Sequence, residues 1–294
     1  MIRTYEELTL SHPCFAQGKK NNKGRIHLPV SPGCNIQCRF CERSHTDTDR
    51  ENQRPGVTGE IITPEEAVDV VRRSLELCPD ITVAGIAGPG DTLATPYALQ
   101  TFRLIGKEFP DIIKCMSTNG LLLPEKADEI IDVGVDTLTV TVNAVDPEIQ
   151  AKINKGIYYH GKYYSGVEAA EILIHNQLEG IRKVTKGGVT VKVNSVLITE
   201  INMEHIEDIA KAVSEAGASI YNLIPLIPQH ELKDCARPSC IQIDGTRARA
   251  EKHINVFRHC QHCRDDAIGV PGEKDYGDQI YLKRISHKDT FSHG

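Results

Sequence analysis

Six apolar, β-rich runs alternate with helical stretches along most of the chain, and this alternation is the strongest constraint on its fold. The predicted strands cover 25–30, 81–88, 112–118, 136–144, 189–198 and 219–227, and helices are predicted at 63–78, at 95–109, from Pro124, over an interrupted region at 147–182, at 202–216 and at 244–258. The helix at 63–78 has the clearest start, because Thr63 is a suitable N-cap and Glu66 completes a capping box. A repeated βα pattern predicts a parallel sheet whose strands are joined by helical crossovers.

The predicted strands share a second feature, which is that most of them end in polar or glycine-rich residues. These endings are Gly88-Pro89-Gly90, Ser117–Gly120, Asn143, Asn194-Ser195 and Asn222. Because ligands bind at the carboxyl ends of parallel strands, the endings predict one ring of residues around one site. Two architectures are compatible with the repeat, namely a doubly wound open sheet and an open or complete α/β barrel, and we expect the barrel.

The repeat also predicts how the chain is organised. Residues 25–258 are expected to form one core barrel, with 1–24 as an N-terminal extension and 259–294 as a C-terminal extension. Both extensions contain cysteines, at Cys14 in the first and at Cys260 and Cys263 in the second. No linker indicates a second domain.

Composition excludes several classes of function. The formal net charge of −6 gives no electrostatic reason to expect nucleic acid as a partner. No apolar run is long enough to span a bilayer, and the charged N-terminus lacks the apolar core of a signal peptide. We therefore expect a cytoplasmic protein without a membrane partner. In that reducing compartment the ten cysteines are better candidates for metal binding or catalysis than for disulfides.

Three of these cysteines, Cys34, Cys38 and Cys41, form a Cys-x3-Cys-x2-Cys loop directly after the first strand. Thiolates at this spacing can hold three irons of a [4Fe–4S] cluster and leave the fourth iron open to bind S-adenosylmethionine (SAM). Such a cluster delivers one electron to SAM and releases a 5′-deoxyadenosyl radical, which makes a radical SAM enzyme with a partial (β/α)6 barrel the predicted class. We also expect Phe40 to pack against the cluster. The alternative, a structural zinc site, fits less well, because zinc takes four ligands, usually from paired Cys-x2-Cys elements.

Residues at the predicted strand ends are candidates for holding SAM. They are Gly88, Pro89, Gly90, Asp91, Ser117, Asn143 and Asn194. The exposed backbone of the glycine-rich turn can pair with the amino group of SAM, to which Asp91 adds negative charge. Ser117 and the two asparagines can hold its carboxylate or ribose. Each of these residues has an ordinary alternative role in a turn or cap, and the set is more persuasive than any one member.

A longer series of motifs resembles one particular family. The motifs are His12-Pro13-Cys14, the Cys34–Cys41 loop, Arg54–Val57, Ala87–Asp91, Ser117–Leu121, Thr141–Pro147, Lys192–Ile198, Asn222–Ile227 and Arg258–Arg264. Together they resemble the NifB family of nitrogenase cofactor biosynthesis proteins, from about residue 11 to residue 272. The cysteine loop is specific for radical SAM chemistry, and the elements on either side of the barrel make the resemblance to this family specific.

The resemblance implies a carbide synthase. Such an enzyme fuses two [4Fe–4S] substrate clusters, inserts a carbon from a SAM methyl group and adds a sulfur, which yields the [8Fe–9S–C] precursor of the nitrogenase cofactor. One SAM gives the methyl group, and a second gives the radical that abstracts its hydrogen. The resemblance also implies three kinds of partner: iron–sulfur cluster donor proteins, a nitrogenase cofactor assembly scaffold or carrier, and an electron donor.

Two further clusters need further ligands, and thiolates or imidazoles are the candidates. Cys260 and Cys263 are spaced to clamp a cluster edge, and Cys14 with His12 offers ligands from the other extension. Cys115 lies near the end of a predicted strand and is expected to point towards the barrel mouth. The alternatives are a surface role for His12, a zinc half-site for the cysteine pair, and a buried small hydrophobic role for Cys115. Cys78, which precedes Pro79, is expected to pack in the core or at the surface rather than to bind metal, and no role is predicted for Cys235 or Cys240.

One element departs from the family pattern. The family has Glu-x-Arg-Pro where this chain has Asn52-Gln53-Arg54-Pro55, with Glu51 one place earlier. We predict catalytic roles for Arg54 and, as the displaced carboxylate, for Glu51. The usual Gly-Glu after the second strand is Gly90-Asp91 here, which is shorter by one methylene group.

Two other functions stay open. One is a radical SAM enzyme that acts on an organic or peptide substrate and uses auxiliary clusters for electron transfer. The other is an iron–sulfur carrier that is not an enzyme. A carrier has no need of SAM or of the polar strand ends, and an enzyme with an organic substrate has no need of cysteines in both extensions.

Overall fold

The computed structural model describes residues 3–16, 22–42, 44–45, 55–261 and 263–282. In chain order its strands are β1 Gly24–His27, β2 Ile36–Cys38, β3 Ser44–His45, β4 Val57–Thr58, β5 Ile81–Ile86, β6 Ile113–Thr118, β7 Thr137–Thr141, β8 Asn154–Tyr159, β9 Lys162–Ser165, β10 Thr190–Leu197, β11 Ile220–Pro225, β12 Val256–Phe257 and β13 Ile268–Gly269. The α-helices are α1 Tyr5–Ser11, α2 Pro64–Leu77, α3 Tyr97–Glu108, α4 Leu123–Asp132, α5 Pro147–Ile153, α6 Gly166–Lys186, α7 Ile206–Glu215, α8 Cys240–Ala250 and α9 Gly277–Ile280, with 3-10 turns at Met203–His205 and His230–Leu232.

The main sheet contains the six predicted strands in their order along the chain. Its order is β12-β11-β10-β7-β6-β5-β1-β13. Each of the six core strands, β1, β5, β6, β7, β10 and β11, is parallel to the next. The short β12 adds a parallel edge, whereas β13 pairs with β1 in the antiparallel sense. In the described residues β12 and β13 stand at opposite ends of the sheet, so the sheet is open.

The crossover helices lie on one face of this sheet, which decides between the two predicted architectures. Strand residues such as Ala84, Met116 and Val191 share one apolar core with residues of the crossover helices. The neighbouring residues Val83 and Ile113 point to the opposite face, because side chains alternate along a strand. A doubly wound sheet carries helices on both faces, so the predicted partial α/β barrel is confirmed. The division into a core and two extensions stays a prediction.

The short helix α1 covers part of the concave face of the barrel. Leu8 is fully buried there against Val83 and Ile113. Arg3 forms an ion pair of 2.7 Å with Asp136, which directly precedes β7. These contacts place α1 towards the amino ends of the strands and bring residues 12–16 into the barrel interior.

Several element boundaries agree with the sequence and others do not. The capping box of α2 is present, with Thr63 and Glu66 in the predicted roles. The predicted helix 244–258 is wrong at both ends, because Ser239 caps α8 through Gln242 and because 256–257 pair with β11. The predicted first strand, 25–30, ends earlier, at His27.

The region 147–182, which was predicted as an interrupted helix, forms helix α5, the hairpin β8–β9 and the start of helix α6. The hairpin β8–β9 pairs with β2 of the cysteine loop, and Cys38 lies opposite Asn154 in this small sheet. The helix that follows, α6, is the longest and carries charged residues along its length. Among the described residues, no helix combines the length and the apolar character needed to cross a membrane.

Candidate functional site

The loop that carries Cys34, Cys38 and Cys41 follows β1 and contains β2. All three side chains are partly buried, and no disulfide joins any of the ten cysteines of the chain. Cys41 N donates to the carbonyl oxygen of Cys38 at 3.1 Å, so the loop turns tightly at its end. The Sγ atom of Cys34 lies 3.5 Å from the carbonyl oxygen of Ile36. The three thiols therefore belong to one short segment beside the first strand of the barrel.

Three neighbouring segments hold this loop in place. The side-chain amide of Asn119, just after β6, donates to Asn35 Oδ1 at 2.7 Å. From the hairpin, Tyr158 N donates to the carbonyl oxygen of Asn35 at 2.8 Å. After β11, Glu231 N donates to the carbonyl oxygen of Arg39 at 3.0 Å. A strand end, the hairpin and the segment after the last core strand thus support the cysteine loop together.

Phe40 gives the loop an apolar side. Its ring packs in a small apolar group that includes Ile153, Ile198 and Leu226. Gln229 Nε2 donates to its carbonyl oxygen at 3.0 Å. The predicted contact between Phe40 and a cluster stays a prediction, although the ring does supply apolar cover beside Cys41.

The turn at Gly88–Asp91 packs directly on the cysteine loop. Gly90 N donates to the carbonyl oxygen of Ser31 at 2.5 Å, and Asp91 N donates to that of Gly33 at 2.7 Å. A Cβ atom at Gly90 would lie 1.9 Å from the Gly33 carbonyl oxygen, so only glycine fits there. Because these N–H groups hold the loop, any contact between this turn and the amino group of SAM uses carbonyl oxygens as acceptors.

The carboxylate of Asp91 ties the ends of two strands together. It is 3 % exposed and accepts hydrogen bonds from Leu93 N at 3.0 Å, Asn119 N at 2.5 Å and the Thr118 hydroxyl at 3.0 Å. These bonds join the turn after β5 to the end of β6. The structure thus gives Asp91 a positioning role in addition to the negative charge predicted for it.

The other residues predicted to hold SAM have different surroundings. Ser117 is the fifth residue of β6 and shares its face with Cys115, and Asn194 lies in β10, where its Oδ1 accepts from Asn222 Nδ2 at 3.1 Å. Asn143 is almost fully buried, and its Oδ1 accepts from Val196 N at 2.9 Å. Asn143 therefore bridges two strand ends, whereas Ser117 and Asn194 lie on the concave face.

The spacing of the first three cysteines along the chain suits a cluster better than a single ion. In the described part of the chain, no three His, Cys, Asp or Glu side chains converge as ligands of one metal ion. A structural zinc site needs four ligands around one point. A [4Fe–4S] cluster is bound at separate irons, so its thiolates do not meet at a point. Three thiols in one loop fit a cluster with one open iron.

Four other cysteines come together inside the barrel, and we call them the interior cysteines: Cys14, Cys115, Cys260 and Cys263. Cys14 and Cys260 pack against the same apolar side chains, those of Phe15, Ile220 and Phe257. Burial raises the pKa of Cys14 to about 12, and Cys263, Cys115 and Cys260 are close enough to raise it as well. Both extensions and one core strand thus contribute thiols to one region.

His12 lies in the same region. It is 1 % exposed, so the alternative of a surface histidine is wrong. Its Nδ1 accepts a hydrogen bond from Cys14 N at 3.1 Å, and its Nε2 is buried without a hydrogen-bond partner among the described residues. Burial and the neighbouring charge of Lys192 hold the pKa of His12 well below its ordinary value. The ring is therefore neutral, which is the form that binds metals.

Cys115 lies deeper than expected. It is the third residue of the six in β6, rather than a residue at the carboxyl end, and it packs against Leu8 and Ile113. The expectation that its side chain points towards the barrel mouth stays a prediction. Its apolar neighbours keep the alternative of a small hydrophobic residue open.

Two buried cations of this region were not predicted. Arg25 in β1 donates from Nη2 to Cys263 Sγ at 3.2 Å and from Nη1 to the carbonyl oxygen of Gly269 at 2.6 Å. Lys192 in β10 is 7 % exposed. The available signal was a charged residue within a β-rich run, as in Val191-Lys192-Val193. A strand buried on both faces rarely carries an unpaired charge without a functional reason.

Five residues from the sequence analysis remain, namely Glu51, Arg54, Cys78, Cys235 and Cys240. Glu51 and Arg54 lie outside the described residues. Cys78 is buried in the main core, and Cys240 is exposed as the first residue of α8. Cys235 packs beside the apolar group that contains Phe40.

Comparison with known proteins identifies the family. A profile described as the radical SAM superfamily matches residues 28–213. The protein named FeMo cofactor biosynthesis protein NifB from Methanocaldococcus infernus is 42% identical, over 97% of this chain and 94% of its own length. The protein of that name from Methanocaldococcus jannaschii is 41% identical, over 98% of this chain and 95% of its own. The chain belongs to the NifB family of the radical SAM superfamily.

Further comparisons give another relative of the family and two solved structures that share the fold. The NifB of Klebsiella pneumoniae is 44% identical over 90% of this chain, which spans 57% of that longer protein. A radical SAM methyltransferase from Sphaerobacter thermophilus has the same fold, with a TM-score of 0.59 at 19% identity over 83% of this chain and 70% of its own. SuiB from Streptococcus suis gives a TM-score of 0.55 at 13% identity, over 88% of this chain and 55% of its own.

Membership of the NifB family has two consequences. The chain is a radical SAM enzyme. The superfamily also implies that it binds a [4Fe–4S] cluster and SAM, for which the loop at Cys34, Cys38 and Cys41 has the fitting donors.

Proposed function

We propose that this enzyme works in the biosynthesis of the FeMo cofactor, as a synthase that fuses two [4Fe–4S] substrate clusters around an inserted carbon. The two substrates contribute all the iron of an [8Fe–9S–C] product and all but one of its sulfur atoms. The carbon comes from the methyl group of one SAM, and the last sulfur comes from an outside source. A reduced electron-donor protein supplies the electrons.

The observation that carries the proposal is the meeting of the interior cysteines with His12. These five side chains come from the N-terminal extension, a core strand and the C-terminal extension, which are distant in sequence. Thiolates and neutral imidazoles are the side chains that ligate iron in such clusters. An enzyme whose substrate is organic has no use for five such donors inside its barrel.

His12 has the surroundings of a ligand. Its ring orientation is set by the hydrogen bond from Cys14 N to Nδ1, and its edge meets the ring of Phe15 at a centroid distance of 4.7 Å. A buried nitrogen without a hydrogen-bond partner is unfavourable unless something binds it. We propose that iron of a substrate cluster binds Nε2. A nitrogen ligand is exchangeable, which suits a cluster that must move to be fused.

The SAM-binding cluster, when bound at Cys34, Cys38 and Cys41, supplies one electron to SAM and so generates the 5′-deoxyadenosyl radical. The role of the chain is to position the cluster and SAM and to insulate them. The turn at Gly88–Asp91 supports the cysteine loop through backbone hydrogen bonds. Phe40 and its apolar neighbours cover the loop from the side of Ile153. Ser117 and Asn194, on the concave face, are proposed to hold polar groups of SAM between the loop and the interior cysteines.

Partners follow from this chemistry. Cluster donor proteins must supply the two substrates, and a scaffold or carrier of nitrogenase cofactor assembly must accept the product. Glu51 and Arg54 remain proposed catalytic residues. This part of the proposal rests on the Glu-x-Arg-Pro element of the family.

The test is anaerobic reconstitution with iron, sulfide, a sulfur source, a reductant and SAM. We expect 5′-deoxyadenosine together with a product that activates cofactor-deficient nitrogenase. A Cys14→Ala/Cys260→Ala double variant should still release 5′-deoxyadenosine but give no activating product. Absence of 5′-deoxyadenosine from the wild-type protein would contradict the radical chemistry. Radical formation without an activating product would favour an organic or peptide substrate.

A further inference from the structure

A largely buried lysine side chain, that of Lys192, lies inside the barrel. Lys192 is the third residue of β10 and pairs with Thr139 of β7 and Ile220 of β11. Its neighbours Val191 and Val193 belong to the core under the crossover helices. Side chains alternate along a strand, so Lys192 points to the concave face, where the interior cysteines lie.

Two aromatic rings contact this ammonium group. Its Nζ lies 5.3 Å from the ring centroid of Phe15 and 5.5 Å from that of Phe257. Phe15 follows Cys14 directly, and Phe257 precedes Cys260 by three residues. The two rings therefore bring the cation towards the ligand-bearing segments of both extensions.

The charge of Lys192 also affects the pKa of nearby thiols. Burial is the main influence on Cys14 and Cys115 and raises the pKa of each. Lys192 opposes this effect at Cys14, and at Cys115 it does so after a hydrogen bond with Thr137. One ammonium group thus acts on cysteines of an extension and of a core strand. Arg25 acts in a comparable way on Cys263, through its hydrogen bond to Sγ.

Among the residues that the structure describes, Lys192 differs from Arg25 in having no polar partner. Within the described ranges, neither the ion pairs nor the side-chain hydrogen bonds include its ammonium group. Lys192 is 7 % exposed, and a largely buried charge without such partners is unfavourable, which two aromatic faces offset only in part. An anion held nearby would remove this penalty.

The four interior thiolates balance the charge of two oxidised [4Fe–4S]2+ cores and exceed it once the cores are reduced, so the reduced clusters are such anions. We propose that Lys192 is the buried counter-charge that positions the iron–sulfur substrates at the interior cysteines. The inference rests on the proposed function, since it requires clusters at these thiols. Lys192 then stabilises the more negative, reduced state of those clusters.

Three variants separate charge from packing. Lys192→Met keeps the length of the side chain and removes its charge, and Lys192→Arg keeps the charge. Lys114→Met is the matched control, because Lys114 is a half-buried lysine of another core strand, β6, and its Nζ donates to the carbonyl oxygen of Val133 at 2.5 Å. Each protein is loaded anaerobically with iron and sulfide. Iron per chain, its rate of loss to a chelator, and the midpoint potentials of the clusters are then measured.

We expect Lys192→Met to keep the iron of the SAM-binding cluster, to lose most of the remaining iron, and to shift any residual auxiliary potential to a more negative value. Lys192→Arg and Lys114→Met should resemble the wild type. Without metal, Lys192→Met should unfold at the same temperature as the wild type or higher, because a largely buried charge is replaced by an apolar side chain. That opposite response of the empty and loaded proteins is not expected of a merely structural lysine.

Several outcomes would overturn the inference. If Lys192→Met binds and holds auxiliary iron as the wild type does, with unchanged potentials, Lys192 is not the counter-charge. Equal iron loss in Lys192→Met and Lys192→Arg would assign the lysine to packing. Wild-type protein that binds iron only at Cys34, Cys38 and Cys41 would overturn the proposed function itself, and this inference with it.

Discussion

Gly90 and Gly33 meet backbone to backbone: a Cβ atom on Gly90 would lie 1.9 Å from the carbonyl oxygen of Gly33. The turn after β5 and the cysteine loop therefore have no room for a side chain between them. Both segments are also joined by the hydrogen bonds of Gly90 N and Asp91 N. The geometry of the three-cysteine loop thus depends on a residue far along the chain.

Gly90→Ala should disturb this contact. We expect the free energy of unfolding to fall by at least about 2 kcal/mol, because overpacking against backbone cannot relax easily. The reconstituted variant should also bind SAM less tightly. Gly245→Ala is the control, since beyond its chain neighbours and the backbone of its own helix no atom lies within 4 Å of a Cβ there, and alanine favours helix α8. Denaturant unfolding that leaves Gly90→Ala equal to the wild type would contradict the argument.

Asp91→Ala should destabilise the protein even without SAM. The carboxylate accepts from Leu93 N, Asn119 N and the Thr118 hydroxyl, and its loss leaves buried donors without a partner. A loss of about 2–3 kcal/mol in the free energy of unfolding is expected, as measured with denaturant.

Asp69→Ala is the matched control for Asp91. The Asp69 carboxylate is exposed and pairs with Arg72 of the same helix, so its removal should change stability by less than about 0.5 kcal/mol. If Asp91→Ala kept full stability and lost only SAM affinity, the role predicted from sequence, direct contact with SAM, would be the better explanation.

The parts of the fold that the sequence predicts are those with local signals. The start of α2 depends on Thr63, Pro64 and Glu66, which lie next to one another in the chain. The spacing of Cys34, Cys38 and Cys41 is likewise local. The six parallel strands follow from periodicity and from the handedness of crossovers, which need no knowledge of distant contacts.

The parts that escaped prediction depend on distant partners. The hairpin β8–β9 is stabilised by pairing with β2, which lies more than a hundred residues earlier. The depth of Cys115 depends on the cover that Leu8 provides. Lys192 looks like an ordinary strand residue until the rings of Phe15 and Phe257 are placed beside it. By contrast, the capping box at Ser239 was a readable local signal for the start of α8.

Leu8→Ala should loosen the N-terminal extension. Leu8 is fully buried against Val83 and Ile113, and removing such a side chain leaves a cavity that costs about 2–5 kcal/mol. Because α1 leads directly into His12 and Cys14, the variant should also retain less auxiliary iron. Leu10→Ala is the control, since Leu10 is 77 % exposed and its loss should change stability by less than about 0.5 kcal/mol. Equal unfolding midpoints for the two variants would show that α1 does not pack as described.

The pair of Arg103 and Glu129 should contribute stability that depends on pH. The hydrogen bond from Arg103 holds the pKa of Glu129 below its ordinary value, with a further contribution from Lys126. The stabilisation is therefore present above the pKa of an unfolded glutamate, near ~4.3, and is lost as pH falls through the lower folded value. Both side chains are partly exposed, so Arg103→Ala should lose less than about 1 kcal/mol at pH 7.

The difference between wild type and Arg103→Ala should vanish below the lowered pKa of Glu129. Arg182→Ala is the control variant for Arg103→Ala, because the contact between Arg182 and Glu179 is 3.9 Å long and lies within one helix. A stability difference for Arg103→Ala that persists unchanged at low pH would point to packing of the arginine stem instead of its charge.

Variants of the interior cysteines and variants of the Cys34–Cys41 loop should lose different iron. Cys14→Ala and Cys260→Ala are expected to lose iron beyond that of the SAM-binding cluster, because both thiols lie beside Phe15, Ile220 and Phe257 in the barrel interior. They should still cleave SAM.

Cys38→Ala should show the reverse, with no 5′-deoxyadenosine and with auxiliary iron retained. Cys240→Ala, at an exposed position at the start of α8, should match the wild type in both respects. Iron analysis and Mössbauer spectra of the reconstituted proteins measure the loss, and a Cys14→Ala variant with wild-type iron would remove Cys14 from the proposed ligands.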